Sequence, residues 1–248
     1  MFDVQYICLQ SWVPVRAQPS SASEMVTSML FGETCLAVGE VDDWLQVKTS
    51  HDLYPGYIPK SYVYSFKDYA HLSWKTVTEP YTYLKSQYAF IQLSPGSRIP
   101  DNHKIAIDGQ HYEWKSALGD KKIVNLLEHA KWFLNTPYLW GGRSIFGIDC
   151  SGLVQVLGQM NQIKMPRDAA QQALVGSKRM WQSKQPGDLC YFENASGKVT
   201  HVGIVFTPNT IIHASGKVRI DELTIEGIVH AQTKIKTHKL CDIRTWNL

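Results

Sequence analysis

The chain has 248 residues, of which 44% are hydrophobic and 19% charged, with a formal net charge of +3. That composition describes a globular protein with apolar mass for more than one core, and no apolar run approaches the ~20 residues of a membrane-crossing helix. Five cysteines, at 8, 35, 150, 190 and 241, are an odd number with no CxxC spacing, which argues against a disulfide framework or a cysteine-rich zinc site.

Charge is uneven along the chain. Residues 1–120 carry 9 Lys/Arg against 13 Asp/Glu, or −4, and residues 121–248 carry 16 against 9, or +7. Neither half has a dense basic run, so nucleic acid is not an expected partner. Opposite signs would suit two units docked on one another, or a basic cleft for a carboxylate-rich substrate. The opening residues, MFDVQYICLQSW, have neither the basic cluster nor the apolar stretch of a secretory leader. The expectation is a cytoplasmic protein, or one in which Met1 replaces a cleaved leader.

In chain order, the first 120 residues read as short strands broken by turns. VPVRAQPSSASE, FGETCLAVGEVDDWLQVKTSH and YPGYIPKSYV interleave β-branched and aromatic residues with Pro, Gly, Asp and Ser. TEPYTYLKS, YAFIQLSPGSRIPD and KIAIDGQHYEW continue the style. Two small all-β barrels are predicted, 1–66 and 67–118. The period then changes. In KKIVNLLEHAKWFLN, Ile123, Leu126, Leu127, Ala130 and Leu134 fall on one helical face, and Pro137 stops the helix near Asn135. A glycine-rich connection over 141–147 leads into a second helix, roughly 150–162. Apolar strand-like runs follow at 187–193, 201–207 and 210–215. The fold class expected is α+β, with a C-terminal domain over 119–248.

Cys150 stands between Asp149 and Ser151-Gly152, surroundings too polar for an ordinary core thiol. A thiol attacks only as thiolate, a minor species at its ordinary pKa of ~8.5 unless a helix N-terminus or an imidazole favours it. Asp149 is the expected N-cap of the helix that Cys150 opens. His201 is the candidate base and His213, twelve residues on, the group that orients it; adjacent antiparallel strands would set the imidazoles side by side. Metal binding by Cys150, His201 and His213 is the minor alternative, with three ligands and no fourth. The other four cysteines read as core residues.

D-C-S-G (149–152), H-V-G-I (201–204) and H-A-S (213–215), together with P-Y-x-W-G-G (137–142), P-R-x-A-x-x-Q (166–172) and P-G-D-L (186–189), resemble the NlpC-type papain-like cell-wall peptidases over roughly 121–246. The similarity implies a papain-like domain preceded by bacterial SH3-like barrels, and a cysteine peptidase of the γ-D-glutamyl-L-diamino-acid dipeptidyl-peptidase type. Such an enzyme releases L-Ala-γ-D-Glu from peptidoglycan stem peptides and needs no cofactor or metal. By the same resemblance Cys150 is the nucleophile, His201 the base and His213 the orienter, and Tyr138 is an oxyanion donor or else a packing aromatic. Asp168 pairs with the free L-Ala ammonium, caps a helix, or does both. Glu24 and Tyr54, with Tyr57 as the alternative, answer to the residues by which the first barrel closes the cleft. Trp140 lines the pocket or supports the following glycines, and Asp149 and Ser151 flank the D-Glu end. Arg167 is either a contact for the substrate α-carboxylate or an ordinary exposed arginine, and is not counted among the site residues. Diaminopimelate and lysine are equally open as the leaving residue. A non-catalytic wall-binding protein and a papain-like acyltransferase or amidase are the rival readings.

Overall fold

The structure is a computed structural model that describes residues 4–116 and 125–246. It is mostly β and divides into two compact units, one of 1–123 with 140–145 and the other of 124–139 with 146–248. No helix among the described residues is long and apolar enough to cross a membrane.

The first unit opens with β1 (Val4–Ile7), β2 (Trp12–Arg16), β3 (Met25–Leu30), β4 (Thr34–Val41), β5 (Trp44–Thr49), β6 (Pro55–Pro59) and β7 (Tyr64–Ser65). They form one antiparallel sheet in the order β3-β2-β6-β5-β4-β1-β7. Its inward positions alternate along the strands, as a half-buried sheet requires, and Val13, Val15, Met29, Leu45, Val47 and Ile58 meet in a core. There follow β8 (Trp74–Thr76), β9 (Thr82–Lys85), β10 (Phe90–Leu93), β11 (Arg98–Pro100), β12 (Lys104–Ile107) and β13 (Gln110–Ser116). These give a four-stranded sheet, β10-β9-β13-β12, and a separate β8–β11 ladder. The β12–β13 hairpin turns on Asp108-Gly109, both at positive φ (48° and 76°), which a two-residue turn of this kind demands. Leu84, Leu93, Ile99 and Ile105 share their core with Ile7, Leu9 and Phe31, so the two β groups are packed as one body.

The segment 140–145, which includes β14 (Arg143–Ser144), is folded into this unit. Arg143 is 0% exposed and grips Glu33 with two bonds, 2.8 and 3.1 Å, while also donating to the Ser28 carbonyl at 2.9 Å.

The second unit contains α1 (Leu126–Lys131), β15 (Gly147–Ile148), α2 (Cys150–Met160), α3 (Ala169–Gln172) and six strands: β16 (Leu189–Glu193), β17 (Val199–Thr207), β18 (Thr210–Ser215), β19 (Lys217–Thr224), β20 (Gly227–Val229) and β21 (Lys236–Arg244). The six strands close into a barrel. Cys190, Phe192, Val205, Ile211, Leu223, Ile228 and Ile243 fill a core within it, and α2 packs on β17 and β18. α1 is shorter than predicted: it ends at Lys131, and the chain reaches Asn135 through turns, with Asn135 at a φ of 67°. The predicted helix start at Ile123 and the 118/119 boundary lie outside the described residues.

Removing one partner of a buried ion pair strands the other charge, at about 3–5 kcal/mol. Glu33→Ala should therefore lower the stability of the first unit by about that much in urea titration, and Glu33→Ala with Arg143→Met should recover most of it. Equal loss in single and double variants would show that the pair is not the cause.

Candidate active site

Asp149 precedes α2 with extended backbone and accepts the Gly152 N–H at 2.7 Å, the N-cap expected of it. Cys150 is therefore the first residue of an eleven-residue helix. Its sulfur is met by the backbone N–H groups of Val202 and Ser151. The sequence pattern suggests a thiol favoured as thiolate by the helix N-terminus, and in the structure two opposing influences act on it. Burial, reinforced by the Asp149 carboxylate, outweighs the two N–H groups and pushes the Cys150 thiol up to about 11. Burial thus opposes the thiolate, and forming it requires an acceptor for the proton.

Val202 belongs to β17, next to His201. His201 Nε2 lies 2.8 Å from His213 Nδ1 on β18, the pairing that adjacent antiparallel strands were expected to give. Gly203 makes room for it, since a Cβ there would come within 2.9 Å of the His213 Cβ. The H-V-G-I motif thus carries its glycine for packing. His213 Nε2 is in turn 3.0 Å from Asp221 Oδ2 on β19. Burial, with its imidazole neighbours His213 and His238, holds His201 well below the ordinary imidazole range. Burial also lowers His213, and the pull of Asp221 in the other direction does not cancel it. For Asp221, burial opposes the charge, but hydrogen bonds from His213, the Ala231 N–H and Arg219 prevail and hold the carboxyl well below its usual range. The group is two neutral imidazoles ending on a carboxylate.

Three of these neighbours were not foreseen. Asp221 and Arg219 lie on β19, and His238 lies on β21 with its ring stacked on His201 at 4.1 Å and 25°. Arg167 is a correction: it is 2% exposed, not a surface residue. It donates to both Asp149 oxygens, at 3.0 and 2.5 Å, and to Ser151 Oγ at 2.9 Å. Its signal was present in the sequence: a buried N-cap aspartate beside a reactive position needs a counter-charge.

Tyr138 is half-buried, and burial, with the Asp149 carboxylate acting in the same direction, keeps its phenol protonated. Asp168 occupies the N-cap of α3, and its N–H donates to Gln171 Oε1 at 3.5 Å. Cys150, His201, His213, Tyr138, Asp149, Ser151 and Asp168 all belong to the second unit. Glu24, Tyr54 and Trp140 belong to the first. There the exposed Trp140 indole donates to Glu24 Oε1 at 2.6 Å, and the Tyr54 N–H donates to Thr49 Oγ1 at 3.0 Å. No group of three or more His, Cys, Asp or Glu among the described residues is arranged to hold a metal ion.

The model of the NlpC/P60 family matches residues 135–237, and that of the bacterial dipeptidyl-peptidase Sh3 domain matches 15–62. The gamma-D-glutamyl-L-lysine dipeptidyl-peptidase of Bacillus cereus is 25% identical over 237 residues, covering 82% of this chain and 71% of that protein. A probable endopeptidase of Haemophilus influenzae is 33% identical over 112 residues, 44% of this chain and 70% of that one. Among solved structures, an NlpC/P60 family protein from Bacillus cereus superposes with a TM-score of 0.81 at 21% identity, covering 98% of this chain and 99% of that one.

His238 offers a test of the histidine cluster. Burial first, then His213 and Arg219, lower its pKa from 6.5 to about 4. Between those values the unfolded chain binds a proton that the folded one does not, so stability falls as pH drops through that window. The urea midpoint should decline from pH 7 to pH 4.5, and less steeply in His238→Phe, which keeps an aromatic ring. Parallel slopes would place His238 outside the cluster.

Proposed function

This chain belongs to the NlpC/P60 family, and on that premise we propose that it is a cysteine peptidase that cuts the γ-D-glutamyl–diamino-acid bond of peptidoglycan stem peptides bearing a free N-terminal L-Ala. The observation that carries the proposal is the His201–His213 hydrogen bond, one residue from the Val202 N–H that meets the Cys150 sulfur. The name of the Bacillus cereus relative supplies the bond type.

In this reaction the Cys150 sulfur attacks the γ-carbonyl carbon as its proton passes to His201. The carbonyl oxygen becomes an oxyanion received by the Cys150 N–H and the Tyr138 hydroxyl, each such donor being worth ~10²–10³ in rate. Collapse breaks the C–N bond, and the departing amine takes the proton from His201. Water then attacks the thioester with His201 again as base, releasing L-Ala-γ-D-Glu and restoring the thiol. Asp168 is the carboxylate proposed for the L-Ala ammonium, which needs a counter-charge once desolvated. Residues 1–66 and 67–118 are proposed as two SH3-like barrels ahead of a peptidase domain over 119–248. The match over 15–62 and the antiparallel β9–β13 sheet support that division.

Mass spectrometry of L-Ala-γ-D-Glu-diaminopimelate and L-Ala-γ-D-Glu-lysine digests should show L-Ala-γ-D-Glu released. Cys150→Ala should lose at least ~10³-fold in kcat with the fold intact. Asp168→Ala should lose ~2–5 kcal/mol, about 30- to 4000-fold in kcat/KM. Acetylating the substrate amine should harm the wild type badly and that variant little. Equal harm to both would remove Asp168 from the ammonium site, and wall binding without any hydrolysis would favour a non-catalytic protein.

A further inference from the structure

Three neighbouring strands carry the cluster in a diagonal. His213 on β18 pairs with Arg219 on β19, and Asp221 is two residues further along β19, on the same face. On the other side Gly203 packs against His213 and His201 is two residues back along β17. The Asp221 carboxylate receives three donors: His213 Nε2 at 3.0 Å, Arg219 Nε at 2.8 Å and the Ala231 N–H at 3.0 Å. Arg219 is itself held by the carbonyl and hydroxyl of Ser215.

We propose that Asp221 is a positioning residue that fixes the tautomer of both imidazoles, leaving Nδ1 of His201 as the ring's proton acceptor. An ionised carboxylate only accepts, so the His213 nitrogen facing it, Nε2, carries the proton. A neutral His213 then has a lone pair on Nδ1. The His201 nitrogen facing that lone pair, Nε2, must donate, and its own Nδ1 is left unprotonated. The opposite assignment places a lone pair of His213 against the carboxylate. A doubly protonated His213 would turn its Nδ1–H toward His201 and force the His201 proton onto Nδ1, which blocks it as a base. Arg219 adds direction, since without the carboxylate its guanidinium would favour a bare Nε2 on His213.

The assignment presupposes Cys150 as nucleophile and His201 as base, and the test separates the two. In the ¹⁵N-labelled wild type, long-range ¹H–¹⁵N correlation at pH 7.5 should find both His201 and His213 protonated on Nε2 and bare on Nδ1. In folded Asp221→Ala, that pattern should be lost from both rings, and kcat should fall by roughly 10²–10⁴-fold, the span general-base catalysis supplies, with KM changed by less than about threefold. Asp221→Ala in a His213→Ala background should cost nothing further, because Asp221 acts only through His213. An Nδ1–H tautomer on either wild-type ring overturns the proposal whether or not the variant folds. So does full additivity of the two substitutions. Full activity in Cys150→Ala would instead overturn the nucleophile assignment beneath it.

Discussion

The histidine cluster of the second unit is organised around one 2.8 Å hydrogen bond between His201 and His213, both of them buried. Burial has two effects there. A low local dielectric strengthens the bond, and the same dielectric penalises charge on either ring, so both are neutral at rest. Burial acts on the Cys150 thiol in the same sense and pushes its pKa up. In the proposed reaction, the charge separation of attack is shared with substrate dipoles and oxyanion donors.

Two buried arginines do a different kind of work. Arg167 fastens the turn before α3 to the N-cap of α2 through Asp149 and Ser151. Arg143 fastens the 140–145 segment to Glu33 and Ser28 in the first unit. A buried pair adds little net stability over an apolar pair of the same size, but separating its members strands a desolvated charge. Planar bidentate geometry sharpens the penalty. Each arginine therefore selects a loop conformation more than it raises stability. In the second unit, Asp149 serves at once as cap to the helix that Cys150 opens and as counter-charge to Arg167.

What could be read without coordinates follows how local each signal is. Cys150 stood out in the sequence because Asp, Ser and Gly surround it, although the structure buries it at 6% exposure. His201 and His213 were legible because HVGIVF and TIIHAS are apolar enough to declare themselves strands. KVRIDELT and KTHKLCDIR are not, and β19 and β21 went unforeseen along with Asp221, Arg219 and His238. Arg167 was missed because a long cationic side chain defaults to the surface unless something specific buries it.

The sequence alone determined the order of the chemistry-bearing motifs, the change from strand to helix period after residue 120, and the start of α2. Each is a property of neighbours within a few residues, where spacing and capping suffice. Only the tertiary structure decided that six strands close into a barrel, that Asp221 ends the imidazole chain, and that burial at Cys150 opposes what a helix N-terminus favours. Closure pairs β21 with β16, a partner far off in sequence. The pKa of a group depends on everything packed around it, which no local pattern encodes.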